Sequence, residues 1–249
     1  MNGSIGVLPD IIWYDSVGST NDEAQARIAA DKLDRVWIAA ARQTRGKGRL
    51  GRHWISEPGN LYASLTWPTN APLKRLASLS LVAGLAVRDA VLQAGVSGQV
   101  QLKWPNDVLV DGRKVTGILI ETTSGTGSHI AIIGCGLNLA HHPSGTRWPA
   151  TNLAACNISI EPREMLGKLR AAMHARLRQW ADGAGLSGIQ DDWMNAALGR
   201  GGRLLVEGGK QGVFSGLSDD GALELTLDDG SLWTHHAGDV DWLEHRVST

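Results

Sequence analysis

The stretch QTRGKGRLGRHW at residues 43–54 places Arg45, Lys47, Arg49 and Arg52 among Gly46, Gly48 and Gly51. Glycine has no Cβ, so its backbone N–H groups can come close to an anion. Arginine adds a planar fork of donors that matches phosphate or carboxylate. The stretch therefore has the chemistry of an anion cradle. A solvated flexible loop and a nucleic-acid contact use the same residue types, and the loop alone leaves all three readings open. The spacing is neither GxxxxGK[ST] nor GxGxxG at a strand-to-helix turn, because Trp54, Pro58 and a strand-like run follow.

Other segments carry chemistry of the same kind. KWPND at 103–107 puts Lys103, Asn106 and Asp107 at a strand end near a turn. Asp107 could hold Mg²⁺ or orient a cation, or it could simply form the turn. Lys114 opens an apolar run after a tight turn, where a lysine is equally at home in solvent. GCGLN at 134–138 packs two glycines before Asn138. Something approaches that backbone closely, either a ligand or a neighbouring strand. No Ser-His-Asp or Cys-His arrangement is evident. Cys135 and Cys156 are the only cysteines, which gives no disulfide framework and no zinc spacing. Cys135 reads as a small buried residue.

The elements that must position these residues follow from pattern. DIIWYD (10–15), VWIAAAR (36–42), NLYASLTWP (60–68) and HIAIIGCGLNLA (129–140) read as strands, the third stopped by Pro68. STNDEAQARIAA (19–30) reads as a helix start, with Thr20 and Glu23 at capping-box spacing. RLASLSLVAGLAVRDAVLQAG (75–95) reads as a long buried helix with Gly95 past its end. Asp111-Gly112 predicts a type I′ hairpin that sets Leu109 opposite Lys114. Met165, Leu169, Met173, Leu177 and Trp180 mark one face of a helix over 163–180, and a shorter helix follows at 186–198.

The pattern changes at GRGGR (199–203), after which short strands alternate with turns, among them Asp220-Gly221 and Asp229-Gly230. This predicts a main domain over 1–198 and a small β-barrel over 199–249. The 249 residues carry a formal net charge of −1 and are 43% apolar. That suits one large domain with an appendage and argues against general nucleic-acid binding. No signal peptide and no apolar run of about 18–20 residues is visible, so a cytoplasmic protein off the membrane is expected.

STN (19–21), QTRGKGRLGRHW, KWPND, KVTGILIE (114–121) and GCGLN stand in the order and register of biotin–protein ligases, which the chain resembles over nearly its whole length. GALELTLDDG and AGDV resemble the family's C-terminal segment. The resemblance implies an α+β fold: a mixed sheet flanked by helices, of the class II synthetase-like biotin/lipoate ligase type, with a small C-terminal SH3-like β-barrel. It implies ATP-dependent joining of biotin to a lysine of a biotin carboxyl carrier protein through biotinyl-5′-AMP, with Mg²⁺ and with a homodimer as one assembly. Carried over residue by residue, Ser19, Thr20, Asn21 and Gln43 contact biotin, as do Lys47, Gly48, Arg49, Lys114 and Gly117. Arg49 and Lys114 are the catalytic cations. Arg52, Trp54, Asn106, Asp107 and Asn138 face the nucleotide, and Asp107 is the metal candidate.

The chain departs from the family at Lys47 and Leu50, both frequently arginine. Lys47 keeps the charge but loses the fork. The first catalytic strand starts near residue 10, so no helix-turn-helix and no repressor activity are expected. A lipoate- or octanoate-handling transferase is the nearest rival, and a non-enzymatic nucleic-acid-binding module the rival from another class. Residues 44–53 are expected to order over an acyl-adenylate. Limited proteolysis should show protection of that loop by biotinyl-5′-AMP, and equal cleavage with and without it would count against the lid.

Overall fold

The computed structural model describes residues 7–124 and 129–243. Its main sheet is built from the apolar runs: β1 (Asp10–Tyr14), β2 (Val36–Ala40), β3 (Leu61–Thr69), β4 (Val100–Lys103), β5 (Asp107–Val110), β6 (Arg113–Ser124) and β7 (His129–Leu137). They lie in the order β1-β2-β3-β7-β6-β5-β4. β1 and β2 run parallel, joined by α1 (Thr20–Ala29), and the other neighbours are antiparallel. The central strands are buried on both faces. Trp37 and Ala39 of β2 and Ile133 and Cys135 of β7 join the large core, while Val36, Ile38 and Ile132 meet Ala24 of α1 on the other face. Period-two alternation thus serves two apolar layers, which is why these runs look continuously hydrophobic.

The large core is closed by α2 (Leu73–Leu76), α3 (Leu79–Gln93), α4 (Pro162–Trp180) and α5 (Leu186–Ala196). The Met165–Trp180 stripe is buried as its spacing predicts. Trp180 keeps its indole N–H satisfied on Ser78 Oγ at 2.9 Å. Gly95 follows α3 at φ +100. Within the stretch Leu73–Gln93 an 18-residue window has a mean hydropathy of 1.4, long and apolar enough to cross a membrane, contrary to expectation. The stretch is broken between α2 and α3, and 67% of that window is buried inside the protein, as a core helix requires.

Two local expectations fail. Thr20 and Glu23 form no capping box. Ser19 is the N-cap, and Thr20 turns its hydroxyl to Gln43. Pro68 does not stop β3, which runs on to Thr69 with Pro68 opposite Ile130. β2 pairs only as far as Thr66, so Pro68 lies where one side of the strand is an edge and a missing N–H is tolerated. The hairpin holds: Asp111 and Gly112 have φ of +48 and +73, and Leu109 faces Lys114.

The C-terminal segment forms β8 (Arg203–Val206), β9 (Gln211–Leu217), β10 (Leu223–Thr226), β11 (Leu232–His235) and β12 (Val240–Trp242), paired antiparallel in the order β11-β10-β9-β8-β12. Among the described residues this pairing is an open sheet with β11 and β12 at its edges, so a closed barrel is not what the ladder displays. The sheet is fastened to the main body. Trp193 of α5 packs edge-on against Phe214 with centroids 6.4 Å apart. Trp104 Nε1 donates to Gly221 O at 3.3 Å, and Leu198 N to Leu102 O at 2.8 Å. Trp193→Ala should cost about 3–5 kcal/mol through the cavity it leaves. Urea denaturation should show the midpoint falling with an unchanged slope.

Candidate active site

A cavity of about 350 Å³ opens between the ends of β5–β7, the start of α1 and the 43–54 loop, with the Asp239–Asp241 segment on one flank. All the residues assigned from the sequence line it: Ser19, Thr20, Asn21, Gln43, Lys47, Gly48, Arg49, Arg52, Trp54, Asn106, Asp107, Lys114, Gly117 and Asn138. The structure therefore gathers segments that are more than a hundred residues apart in the chain, and it does so largely through sheet register. Asp107 faces Gly117 across β5–β6, and Gly117 faces Gly136 across β6–β7.

The loop is a defined turn. Gly48 N donates to Arg52 O at 2.7 Å and Trp54 N to Gly46 O at 2.9 Å. Leu50 and Gly51 form the tip at φ +56 and +71. Leu50 thus sits 68% exposed in a backbone region that favours glycine. From the loop's end the Trp54 indole lies against bare backbone. A Cβ on Gly117 would meet the ring at 2.7 Å, and one on Gly136 would meet it at 2.6 Å. A Cβ on Gly134 would lie 2.4 Å from Asn21 Oδ1. Part of what approaches the GCGLN backbone is therefore the protein itself.

One end of the cavity is polar and carries no cation at its centre. Thr20 N donates to Gln43 Oε1 at 2.8 Å, and Gln43 Nε2 to Ser56 Oγ at 3.1 Å. Ser64 Oγ lies 2.7 Å from Thr20 Oγ1 and 2.6 Å from Asn21 Oδ1. Asn21 Nδ2 donates to Glu121 Oε2 at 2.6 Å.

The other end is cationic. Arg49 donates to Asn106 Oδ1 at 3.1 Å and to Gly238 O at 3.4 Å. Arg52 pairs with Asp239 at 2.6 Å, Lys114 with Asp107 at 2.7 Å and Lys47 with Asp22. Burial lowers the pKa of both Arg49 and Lys103 below their usual ranges. Burial alone would raise Asp239, but Arg52, Lys103 and Arg49 outweigh it and pull its carboxyl down. Asn138 lines the cavity while its side-chain N–H goes to Thr151 O at 3.0 Å. Cys135 is buried and its thiol is pushed up to about 12, the state of an inert core residue.

Sequence reasoning left several lining residues without a role. Lys103 is buried, with Nζ 4.9 Å from the Trp148 ring and 5.4 Å from that of Trp242. Arg147 pairs with Asp239 and Asp241. Trp148 and Asp239 come from segments with no motif strong enough to assign a function. Among the described residues no group of three His, Cys, Asp or Glu side chains could hold a metal. The donor set suits instead a hard cation that arrives on phosphate and takes one or two carboxylates from the protein.

The family model for biotin/lipoate A/B protein ligases matches residues 14–138. The chain is 35% identical over 218 residues to a biotin–[acetyl-CoA-carboxylase] ligase of Paracoccus denitrificans, a match covering 83% of this chain and 90% of that one. The chain belongs to the biotin/lipoate A/B protein ligase family. It is also 34% identical to the biotin–[acetyl-CoA-carboxylase] ligase of Mycobacterium tuberculosis, over 90% of this chain and 85% of the other. The biotin protein ligase of Aquifex aeolicus, solved with biotin and ATP, superposes with a TM-score of 0.77 at 27% identity, covering 94% of this chain and 98% of its own.

The glycines under Trp54 give this family member a direct test. Gly136→Ala should cost about 1–3 kcal/mol by overpacking, and less when Trp54 is also alanine. Denaturation of the two single variants and the double variant measures that coupling.

Proposed function

We propose that this chain activates biotin with ATP and transfers it to a lysine of a biotin carboxyl carrier protein. The observation that carries the reading is the division of one cavity into a neutral hydrogen-bonding end and a cationic end. Biotin has a ureido ring at one end and a carboxylate at the other. The ring suits Thr20, Asn21, Gln43 and Ser19, and the carboxylate would then lie toward Lys114 and Arg49. The lipoate reading fits less well, because a dithiolane offers no partner to so many buried polar groups. Near-neutral charge and a concave, mixed-polarity cavity leave little for the nucleic-acid reading. ATP as a substrate and two free cysteines agree with a cytoplasmic setting.

In the first step a carboxylate oxygen of biotin attacks the α-phosphorus of ATP. The bond to the β-phosphate oxygen breaks, and pyrophosphate leaves. Both reactants are anions, and their repulsion is strong in a half-buried site. Arg49, Lys114, Arg52 and Lys103 offset it and stabilise the charge that develops on the phosphates. Mg²⁺ carried on the nucleotide would add to that charge, with Asp107 and Asn106 as the residues to hold it. In the second step the carrier lysine, as a free amine, attacks the acyl carbon, and AMP leaves. Both nucleophiles come from substrates, so the reaction needs no activated side-chain nucleophile. Lys47 and Gly48 shape the loop over the mixed anhydride, Trp54 walls it and Asn138 borders the nucleotide. Residues 1–198 are the catalytic domain in this reading, and 199–249 are a C-terminal SH3-like domain that contributes Gly238 and Asp239 to the cationic end.

Biotin-dependent exchange of labelled pyrophosphate into ATP tests this. Exchange with biotin and none with lipoate is expected, and exchange with lipoate alone would establish the rival. Arg49→Gly should retain the adenylate roughly 10–100-fold less tightly, because a charge-assisted contact is lost. Gel filtration of the enzyme after reaction with labelled ATP reads that retention, and unchanged retention would remove Arg49 from the assignment.

A further inference from the structure

Glu121 lies behind the polar end, outside the lining of the cavity, yet it bounds a chain of buried hydrogen bonds whose direction is decided by proton supply. An ionised carboxylate can only accept. The 2.6 Å contact from Asn21 Nδ2 to Glu121 Oε2 therefore fixes the Asn21 amide, with its N–H₂ toward Glu121 and its Oδ1 toward Ser64. Oδ1 can only accept, so the single Ser64 proton is spent there, across 2.6 Å. Thr20 has one hydroxyl proton and two acceptors in reach, Ser64 Oγ at 2.7 Å and Gln43 Oε1 at 3.1 Å, so that proton is spent inside the protein on either one and Thr20 keeps a lone pair to offer. Gln43 Oε1 keeps the Thr20 backbone N–H at 2.8 Å, and this holds Gln43 Nε2 toward Ser56. Ser64, Thr20 and Asn21 are all buried, so water cannot readily rearrange the order.

We infer that Glu121 is a positioning and specificity-determining residue: through Asn21 and Ser64 it sets the polar end to present a remaining donor at Asn21 beside the acceptor at Thr20, the pattern that takes a ring bearing both N–H and C=O groups. The inference rests on the biotin reading above and deepens it. It explains why a carboxylate stands behind a site for a neutral ring. Without that charge the Asn21 amide has two nearly equivalent orientations, and the Ser64 hydroxyl turns with it. A dithiolane, with neither N–H nor C=O, gains nothing from either order.

The test is biotin binding by calorimetry, without ATP, for wild type, Glu121→Met and Glu121→Gln. Met keeps the length and removes the acceptor. Gln keeps an acceptor and the shape but not the enforced direction. The biotin Kd should rise by roughly tenfold or more in the Met variant and by less in the Gln variant, in line with loss of a hydrogen bond to a charged group. The KM for ATP and the Tm of the Gln variant should stay close to wild type, which a merely structural role would not predict. A Met or Gln series in which biotin Kd stays within about twofold of wild type, or in which ATP and biotin constants rise together, overturns the inference. Wild-type protein that binds no biotin overturns the parent reading and the inference with it, so the two failures are distinct.

Discussion

Trp54 can lie against β6 and β7 only where those strands carry no side chains, and much of the site depends on that contact. Gly117 and Gly136 face each other across the ladder and leave a bare patch for the indole. With the ring seated there, the 43–54 loop is drawn down over the strand ends, and Lys114 Nζ comes to 5.8 Å from the same ring. The loop's other anchors are polar and reach different parts of the chain: Arg49 to Asn106 and Gly238, Arg52 to Asp239 and Lys47 to Asp22. One apolar foot and several charged contacts give the loop a defined rest position, while most of its hold is made of contacts that an anion can compete for.

The two ends of the cavity follow opposite physical rules. At the polar end Thr20, Asn21 and Ser64 are buried and hydrogen-bonded to one another or to Gln43 and Glu121, so recognition there depends on which atoms donate. At the cationic end several side chains are half-exposed, and the ion pairs there are individually weak because water screens them. A ligand that spans both ends is read for shape and donor pattern at one and for charge at the other.

Much of this was legible in the chain because it is written in local chemistry. The Asp111-Gly112 turn fixes the register that puts Lys114 beside the cavity, and the alternation of β2 and β7 announces buried strands. The cationic loop could be read from residue type alone. What escaped was long-range. Thr20 has capping-box spacing, but a half-buried Gln43 twenty-three residues away outcompetes the cap. Pro68 reads as a stop unless one knows that its neighbour strand has already ended. Trp148 and Asp239 belong to segments whose sequence has little meaning until the C-terminal sheet docks. Glu121 closes a familiar motif, yet its role depends on a hydrogen bond to a residue a hundred positions earlier.

The way the cations are held separates them into two kinds. Lys114 and Arg52 rest on carboxylates, so much of their charge is neutralised before any ligand arrives. Arg49 instead rests on a side-chain amide oxygen and a peptide carbonyl, and Lys103 on the faces of two indoles. Neutral acceptors and π-faces partly replace lost hydration without cancelling the charge. Burial lowers the pKa of both groups, and the nearby carboxylates of Asp107 and Asp239, which neither cation contacts directly, offset only part of that cost. A fold selected for stability alone would have paired them. Holding two desolvated cations on neutral supports at the same end of one cavity makes sense where an incoming anion completes the pairing, and the field they leave uncancelled is what that anion meets first.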